Sequence, residues 1–447
     1  MTRLLAESSG ALNRRIWRLA IPIMITNVSL PLLHAVDTAV VGQLPGAQYV
    51  GAVAVGSLIF NVVVFGLSFV RTGTAGLAAQ AMGAGDVAEV RASLGRAVAI
   101  AVGLGAALIA VQVPFGWAAF AVIGGSPQVQ HLAETYFVIR VWGIPASLAN
   151  LALCGWFIGV QNTKAALWLQ LAVNGLNLVL AVVFVLGLGF GVPGVAAATV
   201  IAEYVSIGYG FWLAARTLSA FGGEWRMQRI FSARQFRRTI AVNRDIFIRN
   251  LLIQTVNVTI VSMGARAGDA VLAANAILFH FHTVGAFLID GFSNAASALV
   301  GHAVGARDRV SVRAAARATG IWALGFGVLL TALFFAAAPF VIDAITVVPE
   351  VRETARTYML WAVITPAVGA WAFQMDGVFF GATRTVEMRN AMFLSVLVFF
   401  AVVWALFEPL GNHALWLAWN TLSVARALTL GMRYPALLRG VPELRAT

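Results

Sequence analysis

The stretch GWFIGVQNT at residues 155–163 returns 222 positions later as GVFFGATRT at residues 377–385. Gly155, Phe157, Gly159 and Thr163 fall on Gly377, Phe379, Gly381 and Thr385. Outward in the same register, Pro127, Val129, Ala133, Thr135 and Tyr136 fall on Pro349, Val351, Ala355, Thr357 and Tyr358. Gly83 and Asp86 of MGAGD fall on Gly305 and Asp308 of VGARD, and the ungapped match runs from about residue 44 to 164. Shared apolar composition alone does not hold register over that distance, nor does it match turn residues. The chain is a tandem repeat.

The repeats are strongly apolar. The 447 residues are 60% hydrophobic and 11% charged, with a mean hydropathy of +0.86. Soluble domains carry roughly 25% charged residues, so this composition belongs to an integral membrane protein. A helix needs roughly 20 mostly apolar residues to cross the hydrocarbon layer. Twelve such segments can be read, near 16–42, 50–82, 95–123, 129–157, 164–187, 192–215, 247–265, 270–304, 318–343, 354–380, 390–408 and 412–435. Glycines are spread through them without strand-like alternation, against a β-barrel. The first apolar run is too long for a signal-peptide core, and no small-residue cleavage site follows it. The lone Cys154 excludes an intramolecular disulfide.

Net charge is +12, and its placement decides its meaning. Of the 30 Lys and Arg, 25 fall at the N-terminus, the C-terminal end and one alternate set of loops; the opposite loops hold only Arg266, Arg352 and Arg356. Positive residues mark the cytoplasmic side. Both termini and the central loop are therefore expected in the cytoplasm, the basic excess reads as a topology signal, and no nucleic-acid partner is implied. The expected organisation is an N-lobe over 1–218, a basic cytoplasmic linker over 219–245 and a C-lobe over 246–447. The fold class is all-α polytopic, twelve transmembrane helices as two parallel six-helix repeats around a central cleft. That is the plan of a secondary transporter in the inner membrane, expected to be a monomer and surrounded by lipid. No phosphate-cradling glycine loop is present for ATP chemistry.

Six ionisable residues sit well inside spans: Asp37, Arg71, Arg140, Glu203, Asp290 and Asp376. A charge at a helix centre costs about 2.5–3.5 kcal/mol on insertion scales, which makes each a functional candidate. The competing reading is a structural ion pair, Arg71 or Arg140 neutralising Asp37 or Glu203. The repeat bears on this choice: Asp37 maps onto Thr259, Arg71 onto Ser293, Arg140 onto Ala362, Asp290 onto Ser68 and Asp376 onto Cys154. Charges that served only the shared fold would appear in both copies, so the halves are specialised. Desolvation favours the protonated carboxyl, so an acid in a membrane cleft exchanges protons near physiological pH and binds a cation once ionised. His34 lies one turn before Asp37, and Pro22 and Pro31 precede it on the same span, where each removes a backbone hydrogen bond and lets the helix bend. Asn61, Asn174, Asn177 and Thr199 supply polar groups to the first-half cleft, or hydrogen bonds between helices. His280 and His282 lie on different helix faces with no Cys or acidic partner, so no metal site is expected.

The stretches LAIPIMITN, LLHAVDTAVVGQL, ATVIAEY, LIDGFSNAASALVGHAVGARD and MDGVFFGATRTVEMRN resemble the multidrug and toxic compound extrusion family, in its DinF-like branch, from about Ile16 to Pro435. The resemblance implies two six-helix lobes and export of cationic or amphipathic compounds driven by inward H⁺ or Na⁺, without a bound cofactor. It also implies that Asp37 matches the first-helix coupling carboxylate and that Asn177, Thr199 and Glu203 match polar positions of the N-lobe cavity. Where that branch often has an Asp one turn after Asn177, this chain has Ala181. The loss favours H⁺ over Na⁺, with Asp37 and Glu203 as the proton-coupling acids. Asp290 and Asp376, in the C-lobe, are then candidates for substrate contact or local pairing, with Arg384 the expected partner of Asp376. The alternatives are a lipid-linked oligosaccharide flippase of the same superfamily, for which Arg71 and Arg140 would hold a pyrophosphate, and a membrane-embedded enzyme, for which no nucleophile–base set is found.

Overall fold

The computed structural model describes residues 9–123 and 126–442; the side chains of 30–36, 47, 122 and 123 lie outside the description. Twelve helical rods follow in order: α1 (Ser9–Val41), α2 (Gln48–Gly83), α3 (Val87–Ala110, continuing as Gln112–Ile123), α4 (Pro127–Gly159), α5 (Thr163–Gly187), α6 (Gly191–Ser219), α7 (Ala233–Arg266), α8 (Asp269–Gly305), α9 (Arg309–Ile345), α10 (Pro349–Gly381), α11 (Thr385–Leu410) and α12 (Asn412–Arg439). Among the described residues there is no strand. Each apolar segment read from the sequence falls on one rod, the first running one residue past the end of α1, and α2 to α11 are long and apolar enough to cross a membrane. A single helical turn, Met227–Ile230, sits in the linker. α1 continues as helix through Pro22 and Pro31.

The repeat is visible in how the rods begin and end. Asp86 caps α3 by accepting from the Glu89 N–H at 3.0 Å, and Asp308 caps α9 by accepting from the Ser311 N–H at 3.0 Å. Such caps satisfy donors that the first helical turn leaves open. Pro127 and Pro349 both stand in the first turn of their helices, where a missing N–H costs nothing. Gln161 and Thr383 take the same left-handed conformation, φ 62° and 53°, in the turns after α4 and α10. Close packing repeats as well. A Cβ on Gly155 would meet the backbone of Arg71, and one on Gly377 the backbone of Ser293. Glycine at these positions lets two helices approach to backbone contact.

The chain forms two compact units, an N-unit of residues 25–82 and 86–240 and a C-unit of residues 9–24, 83–85 and 241–442. In the N-unit α4 is the buried element: Leu148, Leu153, Trp156, Phe157 and Ile158 are enclosed, and the Trp156 indole donates to the Val90 carbonyl at 2.9 Å. In the C-unit, Val256, Leu278, Phe281, Ile342, Met392, Phe399 and Trp416 form one core. Residues 9–24 and 83–85 belong with the C-unit and residues 219–240 with the N-unit, so the units cut across the expected lobe boundaries. Trp17 meets Phe292 and Trp322 edge to face, at 5.1 Å in each case, and Asn13 accepts from the Trp322 indole at 3.0 Å.

Candidate functional site

α1, α2, α4, α5 and α6 enclose a cavity of about 170 Å³ in the N-unit. Its polar lining comprises Asp37, Ser57, Asn61, Tyr136, Arg140, Ser147, Asn150, Gln170, Thr199 and Glu203, with Phe60 on one wall. Helical spacing gathers these groups. Arg140 and Ser147 are two turns apart on α4, and Thr199 and Glu203 are one turn apart on α6, so each helix turns a polar stripe to one side.

Arg140 and Glu203 form a bidentate pair, Nη1 to Oε2 at 2.9 Å and Nη2 to Oε1 at 2.6 Å. Ser147 Oγ donates to Glu203 Oε1 at 2.6 Å, and Asn150 Nδ2 donates to the Glu203 carbonyl at 3.0 Å. The guanidinium also lies 3.8 Å from the centroid of the Phe60 ring, a cation–π contact. Both partners are buried, and in such a place a charge pair is tolerated only with good geometry and further hydrogen bonds. The local chain makes room for it: α4 tightens into a 3₁₀ turn at Val141–Gly143, and a Cβ on Gly143 would crowd Arg140 Nη1 and Glu203 Oε2.

Asp37 presents the opposite case. Its side chain is buried and lines the cavity, yet among the described residues Oδ1 has no hydrogen-bond partner and the carboxylate makes no ion pair. The cavity thus holds two acids in different settings: Glu203 is hydrogen-bonded to Arg140 and Ser147, whereas Asp37 feels the Arg140 charge on the same lining without a direct ion pair. The Glu203 carboxylate, expected from the sequence to be a proton-coupling acid, is the one that Arg140 and Ser147 hold. Asn150 Oδ1, also on the lining, is a second acceptor without a donor among the described residues.

The other polar residues lie around this centre. Asn177 is fully buried and donates to Thr199 Oγ1 at 2.7 Å, which donates in turn to the Val195 carbonyl at 3.0 Å. Asn174 donates to Ser29 Oγ at 2.9 Å and accepts from Gln170 Nε2 at 2.9 Å, outside the lining. Asn61 is exposed at the cavity edge. Ala181 is buried. The side chains of His34 and Pro31 lie outside the described residues.

Two expectations differ from the structure. Asp376 does not pair with Arg384. It accepts from Arg249 Nη2, with Arg426 Nη1 at 3.8 Å, because this face of α10 turns towards α7 and α12. Arg384, beyond the end of α10, pairs with Glu387 at 3.1 Å in the first turn of α11. Arg71 forms no ion pair among the described residues and is absent from the cavity lining. Asp290, in the C-unit, accepts from Asn294 Nδ2 at 2.7 Å. The sequence reading missed Arg249 and Arg426, both counted as cytoplasmic loop charges. It also missed Asp245, which is buried and accepts from Arg389 Nη1 at 2.9 Å. The signal available for Arg426 was its place near the middle of an apolar segment. Tyr136, Ser147 and Gln170 were missed too, and Ser147 carried the signal of its two-turn spacing from Arg140.

Comparison with known proteins agrees with this architecture. The MatE family model matches twice, over residues 22–183 and 246–407. The chain is 39% identical to the DNA damage-inducible protein F of Escherichia coli (strain K12), over 94% of this chain and 91% of the relative. It is 27% identical to a probable multidrug resistance protein NorM of Bradyrhizobium diazoefficiens, over 94% and 93%. Among solved structures, the outward-facing conformation of a multidrug resistance MATE family transporter of the MOP superfamily superposes with a TM-score of 0.85 at 19% identity, covering 96% of this chain and 97% of the other. With the family model matching both halves and the bacterial relative spanning almost the whole chain, the protein belongs to the MatE family of membrane transporters.

Proposed function

We propose that this chain is a secondary active exporter that moves cationic or amphipathic compounds outward across the inner membrane in exchange for inward H⁺, with Asp37 as the coupling carboxylate. The observation that carries the reading is the contrast between the two cavity acids. Glu203 has a bidentate arginine and a hydroxyl donor, whereas Asp37 makes no ion pair and its Oδ1 accepts no hydrogen bond among the described residues. A buried carboxylate without a partner is costly while ionised, so it takes up either a proton or a cation. Those two states are what an antiporter exchanges. The naming of a relative and a solved structure for multidrug resistance supports the class of cargo.

In the proposed cycle, ionised Asp37 holds a cationic group of the substrate while the cavity is open to the cytoplasm. A proton from the acidic exterior neutralises it, the substrate leaves outward, and the proton escapes to the more alkaline cytoplasm once the cavity opens inward again. Glu203 and Arg140 act beside it as a fixed pair of opposite charges that shapes the cavity. The flippase reading asks Arg71 and Arg140 to hold a pyrophosphate; Arg140 is engaged by Glu203, and Arg71 does not line the cavity.

Dye transport in everted vesicles, with pH and Na⁺ gradients imposed separately, tests this. The vesicle lumen corresponds to the cell exterior, so an acidic lumen is expected to drive dye inward, and a Na⁺ gradient at constant pH is expected to have no effect. Uptake that follows Na⁺ and ignores pH would replace H⁺ as the coupling ion.

A further inference from the structure

A second concavity of the N-unit lies where α5 begins and α6 ends, with a volume of about 440 Å³. Two cations flank it, Lys164 on α5 and Arg216 on α6, and no acidic side chain is part of its lining. Among the described residues neither cation makes an ion pair. One turn further into the spans the walls are Trp168 and Leu213, and Phe221, past the end of α6, closes the other side. Trp168 is 58% exposed and Trp212 is 53% exposed. The Arg216 guanidinium lies 5.7 Å from the Trp212 ring, which stacks on Tyr209 at 5.7 Å. Asn162 caps α5 by accepting from the Ala165 N–H at 3.3 Å and donates to Thr217 Oγ1 at 3.0 Å, which ties the two helix ends together.

We infer that this groove is a binding site for an anionic phospholipid, with the phosphodiester between Lys164 and Arg216 and an acyl chain along Trp168 and Leu213. Three features point to a lipid. The groove lies at the ends of two spans, level with a head-group layer, and exposed tryptophans and tyrosines favour that level. Its charge is complementary to a phosphate, and basic pockets between transmembrane helices take anionic head groups. Its lower walls are apolar, and a soluble anion would leave them uncovered. The charge balance of the loops assigns this end of the spans to the cytoplasmic leaflet. This site is separate from the Asp37 cavity, so its test does not depend on the transport reading.

The full-length protein, purified in neutral detergent, is titrated with dihexanoyl phosphatidylglycerol or dihexanoyl phosphatidylcholine, and retained lipid is read by native mass spectrometry. Phosphatidylglycerol is expected to be retained over phosphatidylcholine. Affinity should fall about five-fold in Lys164→Gln or Arg216→Gln and about thirty-fold in the double variant, as expected from the worth of one basic residue beside an anionic head group. Lys164→Arg, which keeps the charge, should bind as the parent does. Thermal unfolding without added lipid separates loss of lipid from loss of fold; if the double variant unfolds, the single variants decide. Equal retention of the two lipids, or unchanged phosphatidylglycerol binding in the glutamine variants, would overturn the site. Glycerol phosphate that competes as strongly as the lipid would overturn it too, in favour of a soluble anion.

Discussion

Arg140 and Glu203, 63 residues apart on α4 and α6, meet as a buried bidentate pair while Asp37, on the same cavity, makes no ion pair among the described residues. The pair and the lone acid make different demands on the protein, and mutation separates them. Removing one member of a buried pair strands the other charge in a low dielectric, at a cost of about 3–5 kcal/mol. Arg140→Ala is therefore expected to lower thermal stability in detergent severely. Arg140→Ala with Glu203→Gln should recover most of the loss, since no charge is then left unpaired. A double variant no more stable than Arg140→Ala alone would contradict the pairing.

Gly143 is expected to be intolerant of a side chain for the same reason. Its Cβ would crowd both members of the pair, and overpacking costs about 1–3 kcal/mol. Gly143→Ala should therefore destabilise the parent, and destabilise a Glu203→Ala background by less, because the crowded oxygen is gone. Equal losses in the two backgrounds, measured by thermal unfolding, would show that the glycine answers to something else.

In the C-unit, Asp376 should depend on Arg249 and be indifferent to Arg384. Arg249→Ala removes its hydrogen-bonded partner and is expected to lower stability by a few kcal/mol. Arg384→Ala breaks only an exposed pair with Glu387, worth about 0–1 kcal/mol. Similar thermal shifts for the two variants would restore the pairing read from the sequence.

The topology makes its own prediction. A cysteine introduced at Gln235 in a Cys154→Ala background is expected to react with a membrane-impermeant maleimide in everted vesicles and not in intact cells. Labelling from outside intact cells would invert the orientation.

Much of this architecture could be read in advance because the repeat is written in residues that obey local rules. Asp86 and Asp308 cap, Pro127 and Pro349 start helices, and Gly155 and Gly377 let backbones touch. Each is a nearest-neighbour requirement that a sequence displays without knowledge of the fold. Asp37, Arg140 and Glu203 were legible for a related reason, since a charge in an apolar span must serve something. What escaped was long-range. Arg249 and Arg426 count with the cytoplasmic charges in the sequence although both fall within apolar segments, and only the packing of α7, α10 and α12 shows that both turn inward to Asp376. The same holds for residues 9–24, where Trp17 joins α1 to the C-unit through rings from α8 and α9.

The most direct test of the central claim is gradient-driven dye export by purified Asp37→Asn protein in proteoliposomes. Asparagine preserves the volume of the side chain but neither releases a proton nor carries a charge to hold a cation. The variant is expected to fold and unfold thermally like the parent while its export under an imposed pH gradient falls to the rate of protein-free vesicles. Export by Asp37→Asn at the parent's rate under the same gradient would contradict the assignment of Asp37 as the coupling carboxylate.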